Sequence, residues 1–367
     1  MSNLAPSISP TPRPEVLATP GATHGALDYV ELFRLGLSAD DVIDFSVNSN
    51  PFGPSPAVLA ALSSVPLERY PDRDALALRA ALSRHLAVAS DGIIVGNGTA
   101  ELIHLVCFAF LQPGDHVVMV GPTFGEYERA ARLMGAHVNH WTAQERDAFA
   151  VDGDAVQRLV KEVKPRLAFL CRPNNPTGSM LPLDAIRSWA DACPQTLLVV
   201  DEAYLAFALG ARSALSLQRA NVLALRSMTK DYALAGLRLG YAVGDQAVIE
   251  AIARVRPAWN VNALAQAAGV ASLGDQEHLS RTLGALRQAH SGLASGLRNL
   301  GLTPLPTSVH YFLMRTEGGR VFRERLLQRG VMVRDCASFG LPAFVRIATR
   351  RPEQNDRLLA AIKEVSS

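Results

Sequence analysis

Five short apolar runs, none with polar residues at alternate positions, constrain the fold of this 367-residue chain more than any other feature. In chain order they read "IIVG" (93–96), "VVMVG" (117–121), "LAFLC" (167–171), "LLVVD" (197–201) and "VLAL" (222–225). Segments with helical spacing or turn residues separate them. Apolar strands that do not alternate are typical of a buried parallel sheet covered by helices on both faces. The runs therefore predict an α/β fold with a mostly parallel sheet.

The C-terminal part of the chain has a different pattern. A long helical stretch covers about residues 275–300, and three shorter strand-like runs follow it, "HYFLMR", "VMVRD" and "FVRIA". This order is typical of an α+β unit with a small antiparallel sheet. The length suggests about two domains. We predict a large domain at 56–255, a small domain formed by 41–55 plus 275–367, and an N-terminal arm rich in proline and serine at 1–40.

The composition excludes several function classes. The net charge is +2, from 36 basic and 34 acidic side chains, and no basic block suggests a nucleic-acid partner or an anionic membrane. No run of 18 apolar residues predicts a membrane span. The four cysteines form no C-x-x-C pair, so neither a zinc site nor a disulfide framework is expected. We predict a cytoplasmic protein with a small-molecule partner.

Polar residues follow four of the apolar runs. They are Gly98 to Ala100, Asn174 and Asn175, Asp201 to Tyr204, and Ser227 to Lys230. Ligands of an open parallel sheet bind beyond the carboxyl ends of its strands. We therefore expect these groups to converge on one site.

Lys230 and Asp201 together suggest a particular chemistry. A lone lysine is usually a surface residue, and a lone aspartate at a strand end is usually a helix cap or half of an ion pair. A lysine desolvated near a pocket, however, has a lowered pKa and can react with a carbonyl group. Pyridoxal phosphate requires such a lysine and an acid facing its ring nitrogen. The pair thus indicates a pyridoxal-phosphate site.

The remaining parts of this cofactor also have candidate partners. The backbone N–H groups of "GTA" (98–100) open a helix after a strand and can hold a phosphate. The same segment lacks the third glycine of a dinucleotide loop, so a dinucleotide is weakly supported. Ser227 and Arg238 flank Lys230 and can bind the same phosphate. Phe124 can stack on a pyridine ring.

Four motifs resemble one family in both order and spacing: "PNNPTG" (173–178), "DEAY" (201–204), "SMTK" (227–230) and "GLRLGY" (236–241). They resemble the fold-type-I pyridoxal-phosphate enzymes of the class I/II aminotransferase family. The resemblance extends from about Asp44 to the C-terminus. It implies a large cofactor-binding domain, a smaller α+β domain, and a homodimer with active sites at its interface.

The resemblance also implies a role for each matching residue. Lys230 would hold the cofactor covalently, Asp201 would pair with its ring nitrogen, and Tyr204 would act beside them as a third catalytic residue. Asn175 and Tyr204 would contact the phenolic oxygen, and Phe124 would stack on the ring. The phosphate-binding residues would be Gly98, Thr99, Ala100, Ser227 and Arg238, with Tyr70 of "ERYPDRD" reaching the phosphate of the neighbouring subunit.

The resemblance also implies that Asn48, Arg334 and Arg346 bind the substrate. Arg346 matches the arginine that binds the acidic group of the substrate, and Arg334 matches a second one. Two arginines suit a substrate with a phosphate and, in one half-reaction, a carboxylate.

Two kinds of family member share these features. We favour the histidinol-phosphate aminotransferases, with glutamate and 2-oxoglutarate as the amino partner, because aminotransferases are much the commoner. The alternative is the threonine-phosphate decarboxylase of cobalamin biosynthesis, which His24-Gly25, "VRDCASFGL" and Arg350 resemble. Ser49, His310 and Arg172 depart from the usual aminotransferase pattern.

Overall fold

The computed structural model describes residues 10–366 of the chain. Its strands are β1 (Ile43–Asp44), β2 (Ile93–Gly96), β3 (His116–Gly121), β4 (His137–Thr142), β5 (Leu167–Cys171), β6 (Leu197–Asp201), β7 (Val222–Ser227), β8 (Gly240–Val243), β9 (Tyr311–Arg315), β10 (Val331–Met332), β11 (Arg334–Asp335) and β12 (Phe344–Ala348). Its α-helices are α1 (Pro14–Ala18), α2 (Tyr29–Leu35), α3 (Pro56–Leu62), α4 (Leu76–Leu86), α5 (Gly98–Phe110), α6 (Glu126–Leu133), α7 (Gly153–Val163), α8 (Leu183–Ala192), α9 (Gln246–Val255), α10 (Ala263–Gly274), α11 (Gln276–Asn299), α12 (Gly319–Leu327) and α13 (Pro352–Ser366).

Seven strands form the large sheet in the order β2-β8-β7-β6-β5-β3-β4. All are parallel except β8, which is antiparallel to both of its neighbours. The predicted α/β fold is confirmed. Alternate residues of the central strands enter different cores: in β6, Leu197 and Val199 pack in one, while Leu198 and Val200 pack in the other. Burial on both faces explains why these strands lack polar alternation.

The sheet direction determines where functional groups can meet. Because β2, β3, β5, β6 and β7 are mutually parallel, their carboxyl ends lie along one edge of the sheet. Cys171, the last residue of β5, pairs directly with Asp201, the last residue of β6. The polar residues that follow these strands therefore share one edge, as the sequence predicts.

A smaller antiparallel sheet has the order β11-β12-β9. In it Arg334 lies directly opposite Arg346, which brings the two predicted substrate-side arginines onto neighbouring strands. Its core includes Phe312 and Val345, which pack with Leu293 of α11 and Leu358 of α13. Strand β1 pairs in parallel with β10 beside this sheet. The domain bounds themselves remain a prediction.

The described N-terminal residues lie against the rest of the protein. Arg13 donates a hydrogen bond to the carbonyl of Leu133 at 3.1 Å, and Leu32 packs with Val42 and Leu327. None of the described helices combines the length and apolar character needed to cross a bilayer. Within residues 10–366, no cluster of histidine, cysteine and acidic side chains is arranged to hold a metal ion.

Candidate active site

Lys230 lies in the turn after β7, and its side chain is only partly exposed. Desolvation, together with the positive charges of Arg346 and Arg238, lowers its pKa to about 8. The lysine backbone is held in place because its carbonyl accepts a hydrogen bond from the Asn50 N–H at 2.8 Å. A lysine in this state is partly neutral near physiological pH and can act as a nucleophile or a base.

Asp201 ends β6, and its side chain is buried. Its Oδ2 accepts a hydrogen bond from the Tyr127 hydroxyl at 2.6 Å, and its Oδ1 accepts one from the Ala203 N–H at 2.9 Å. Burial raises the pKa of Asp201, while these two hydrogen bonds and the charge of Lys230 oppose the increase. The sheet edge thus presents a carboxylate with two fixed donors.

Arg346 links the small sheet to the loop after β5. Its guanidinium donates to Asn175 Oδ1 and to the carbonyl of Ser46, and it lies 5.6 Å from the centre of the Tyr311 ring. The Tyr204 ring packs edge-on against Tyr311, with centroids 5.1 Å apart. Burial raises the pKa of Tyr204, so its hydroxyl stays protonated. Arg346 therefore contacts Asn175 directly, and the Tyr311 ring connects Arg346 to Tyr204.

A cradle for an anion forms where β2 leads into α5. Gly98 has a φ of +80°, which favours glycine, and a Cβ added there would lie 3.0 Å from the Arg238 guanidinium. The Ser227 and Thr229 hydroxyls are hydrogen-bonded to each other at 2.7 Å beside Lys230. Thr99 and Ala100 occupy the first turn of α5. These backbone donors, hydroxyls and guanidinium form a donor set that fits a phosphate.

Phe124 lies directly before α6 and contacts two other rings. Its ring is 5.6 Å from that of Tyr127, edge-on, and 5.6 Å from that of His24. Phe124 is thus held in place beside Asp201 by Tyr127, which bonds to that carboxylate.

Residues 21–26 form a segment that we call the N-terminal strap. It bridges helix α6 and the small sheet: His24 Nε2 lies 2.8 Å from Glu126 Oε1, and the Thr23 carbonyl accepts a hydrogen bond from Arg334 at 2.9 Å. A Cβ added at Gly25 would lie 2.6 Å from the Ser46 carbonyl oxygen, so only glycine fits there. The strap therefore covers Arg334 and passes beside Phe124.

Glu126 is the attachment point of the strap on α6. It is buried, and its second oxygen lies 3.0 Å from His104 Nε2 and 3.4 Å from the Arg129 guanidinium. These partners outweigh desolvation and lower the pKa of Glu126. It thus stays ionised and can hold His24.

Two further predicted residues are Tyr70, which lies on the surface, and Asn48, which lies in the interior. Tyr70 is 81% exposed, and its ring lies 4.8 Å from that of Trp259. Asn48 is buried, and neither polar atom of its amide has a hydrogen-bond partner within the described chain. An unpaired buried amide is costly unless a ligand satisfies it.

Sequence reasoning missed Tyr127, Glu126 and Tyr311. Tyr127 and Glu126 follow Phe124 closely in the segment "GPTFGEY" (121–127). The contacts of Tyr127 and Glu126 arise only when α6 packs against β6 and the strap, so no local pattern in the chain indicated them.

The strap provides a first prediction. His24→Ala should speed deuterium exchange of residues 21–26 and raise KM severalfold with little change in kcat, because a half-exposed histidine–carboxylate contact contributes about 1 kcal/mol or less. Exchange mass spectrometry and steady-state kinetics would measure the two effects.

His140→Ala is the matched control for this prediction. His140 lies 3.5 Å from Glu128, which is on helix α6 like Glu126. This substitution therefore removes a similar histidine–carboxylate contact without altering the strap. Equal exchange rates in both variants would contradict the role of His24.

Comparison with known proteins agrees with this geometry. The sequence model of the family "Aminotransferase class I and II" matches residues 40–362. The histidinol-phosphate aminotransferase of Roseiflexus castenholzii is 38% identical over 91% of this chain and 92% of its own length. That of Moorella thermoacetica is 36% identical over 92% of this chain and 88% of its own.

Solved structures share the fold. Histidinol-phosphate aminotransferase from Sinorhizobium meliloti, in complex with pyridoxal-5'-phosphate, has a TM-score of 0.86 at 24% identity and covers 99% of both chains. A double mutant of Thermus thermophilus aspartate aminotransferase has a TM-score of 0.80 at 26% identity and covers 92% of this chain and 94% of its own.

Proposed function

Because this chain belongs to the class I and II aminotransferase family, we propose that it is a pyridoxal-phosphate-dependent histidinol-phosphate aminotransferase. It would exchange an amino group between histidinol phosphate and the glutamate/2-oxoglutarate pair. The observation that carries the chemistry is the partly neutral Lys230 at the same sheet edge as the doubly hydrogen-bonded Asp201. The substrate assignment is supported by relatives of that name at 36–38% identity.

The residues at the sheet edge would hold the cofactor by its separate parts. Lys230 would bind it covalently, Asp201 would accept a hydrogen bond from its ring nitrogen, and Asn175 and Tyr204 would contact its phenolic oxygen. The phosphate would lie in the cradle formed by Gly98, Thr99, Ala100, Ser227 and Arg238. Phe124, fixed by Tyr127 and His24, would stack on the ring.

The chain's own groups then account for proton movement. Bound pyridoxal phosphate supplies an electron sink for the carbanion that forms when the substrate Cα loses a proton. Lys230, with its pKa lowered to about 8, can take that proton and return it to a different carbon. Asp201 would stabilise positive charge at the ring nitrogen of the bound cofactor, and the buried Tyr204 would remain a hydrogen-bond donor.

The substrate would be bound by the two arginines on neighbouring strands. Arg346 has its Nε without a partner among the described residues, and Arg334 lines a cavity of about 490 Å³ under the strap. Desolvation and the charge of Arg346 lower the pKa of Arg334, which favours binding of an anion between them. Asn48, with its unpaired amide, would complete the contacts to the substrate.

We propose that the protein is a homodimer. Helix α10 packs on both α3 and α4, and these three helices expose the apolar side chains of Leu59, Leu76 and Val270. The neighbouring side chains of Tyr70 and Trp259 are exposed as well. A second copy covering this face would bury them and bring Tyr70 to the other subunit's phosphate cradle. The proposed domain division, 56–255 against 41–55 plus 275–367, is supported by a core that the small sheet forms with Leu293 and Leu358, whereas Tyr311 and Ala348 of that sheet pack in the core of the large sheet. We also propose a cytoplasmic location.

The experiment that tests this function uses product identification. The protein with pyridoxal phosphate is mixed with histidinol phosphate and 2-oxoglutarate, and the products are analysed by mass spectrometry. Glutamate and the imidazole-acetol phosphate are expected. Borohydride reduction should leave the cofactor permanently attached to the peptide that contains Lys230.

A second mixture separates the alternative. Phosphothreonine alone, without a keto acid, would give aminopropanol phosphate and carbon dioxide if the protein were a decarboxylase. That result, with no glutamate from the first mixture, would overturn the aminotransferase proposal. An unmodified Lys230 after borohydride would overturn the cofactor assignment as well.

A further inference from the structure

Tyr127 makes a hydrogen bond to Asp201 that none of the residue roles proposed above explains. Its hydroxyl donates to Asp201 Oδ2 at 2.6 Å, and its side chain is completely buried. A distance in this range is typical of a hydroxyl that donates to an ionised carboxylate. Tyr127 therefore contacts the acid that would face the cofactor ring.

The position of this hydroxyl is fixed by the packing of its ring. The ring is stacked on Phe169 of β5, with centroids 5.1 Å apart and planes 10° from parallel, and Phe124 contacts it edge-on. Burial and the charge of Asp201 raise the pKa of Tyr127 well above its ordinary value. The hydroxyl thus stays protonated, and the packing of its ring places it against Asp201.

The two oxygens of Asp201 depend on different donors. Oδ1 accepts from the Ala203 N–H, which the local turn provides, and Oδ2 accepts from Tyr127, which only tertiary packing provides. Burial favours the protonated form of this carboxyl. A protonated Asp201 carries no negative charge, so it would stabilise a protonated pyridine ring much less than the carboxylate does.

We propose that Tyr127 is a positioning residue that keeps a proton on the cofactor's ring nitrogen instead of on Asp201. The inference rests on the cofactor assignment under Proposed function. One proton can lie on the nitrogen, facing a carboxylate, or on the carboxyl group, facing a neutral nitrogen. The Tyr127 hydrogen bond stabilises the carboxylate far more than the neutral acid, so it favours the first arrangement by about tenfold or more. The protonated ring is the stronger electron sink.

The test replaces Tyr127 by phenylalanine and observes the ring nitrogen directly. The holoenzyme is prepared with pyridoxal phosphate carrying nitrogen-15 in the ring, and its NMR chemical shift is measured. The wild type should give the signal of a protonated pyridine. Tyr127→Phe should move it toward the signal of neutral pyridine and lower kcat about tenfold, with KM nearly unchanged, because no substrate-binding group is altered.

Tyr241→Phe is the matched control. Tyr241 is buried in β8, packs in a different core from Tyr127, and is not bonded to Asp201. This control should keep the wild-type nitrogen signal. If Tyr127→Phe does not fold, para-aminophenylalanine at position 127 keeps the ring with a weaker donor and should move the signal in the same direction by a smaller amount.

The outcomes distinguish this inference from the proposed function. A wild-type protein that takes up no cofactor at Lys230 would refute the proposed function. A wild type that is loaded and active, with the same nitrogen signal in the Tyr127 variants, would refute only the role of Tyr127.

Discussion

Lys230→Met is expected to abolish transamination, with a loss of at least about 10⁴-fold in kcat, because the variant loses both the covalent attachment of the cofactor and the base for the Cα proton. It should still bind pyridoxal phosphate noncovalently, since the phosphate cradle does not involve the Lys230 side chain. Stopped-flow kinetics with histidinol phosphate and the visible spectrum of the cofactor would measure both effects.

The same substitution should stabilise the cofactor-free protein. The pKa of Lys230 is lowered to about 8 in the folded state from 10.5, so the folded protein binds this proton less tightly than the unfolded chain does. The destabilisation is therefore complete below about pH 8 and disappears as the pH rises above 10.5. We expect the free energy of unfolding of Lys230→Met to exceed that of the wild type by about 1–3 kcal/mol at pH 7, with the difference vanishing at high pH.

Lys161→Met provides the control for both effects. Lys161 is exposed in α7, and its replacement should change neither the rate nor the stability appreciably. A Lys230→Met protein with substantial turnover, or one less stable than the wild type at pH 7, would contradict the role and the environment assigned to this lysine.

Asp201→Asn is the second prediction with a large effect. The rate should fall by about 10²–10⁴-fold, because a neutral amide cannot stabilise positive charge on the ring nitrogen. The amide can keep the local hydrogen bonds, with its oxygen facing the Ala203 N–H and its nitrogen facing the Tyr127 oxygen. Single-turnover kinetics in the presence of excess cofactor would measure the loss.

The stability of Asp201→Asn separates chemistry from folding. Burial raises the pKa of Asp201, so its ionised form opposes folding above the unfolded pKa near 3.8. The cofactor-free variant should therefore be at least as stable as the wild type at pH 7, and this advantage should shrink as the pH falls toward 3.8. Asp191→Asn, on the surface beside Arg219, is the control. An inactive but destabilised variant would mean that Asp201 acts through the fold and not through the cofactor.

Local sequence was sufficient for the large sheet and for the centre of the site. The unalternating runs at 93–96 and 197–201 specify strands buried on both faces, and the polar residues after them are placed by strand direction alone. Lys230, Asp201 and Gly98 could be predicted because each stands within a few residues of a strand end.

Contacts between distant segments could not be predicted in this way. Tyr127 reaches Asp201 across 74 residues of sequence, and His24 reaches Glu126 across 102. Such pairs depend on how helix α6 and the strap pack, and neither periodicity nor motif spacing carries that information. Tyr70 likewise lies exposed on the surface of a single subunit. Its predicted contact with a neighbouring subunit therefore requires a second copy of the chain.

By itself, therefore, the sequence determined the order of elements, the sheet edge that carries the site, and the residue types available there, because strand burial and turn chemistry are local properties. Only the tertiary structure decided which donors hold Asp201, which charges lower the pKa of Lys230, and how the strap covers Arg334. The physical reason is that desolvation and hydrogen bonding depend on neighbours in space, and the folded packing brings these neighbours together from segments far apart in the chain.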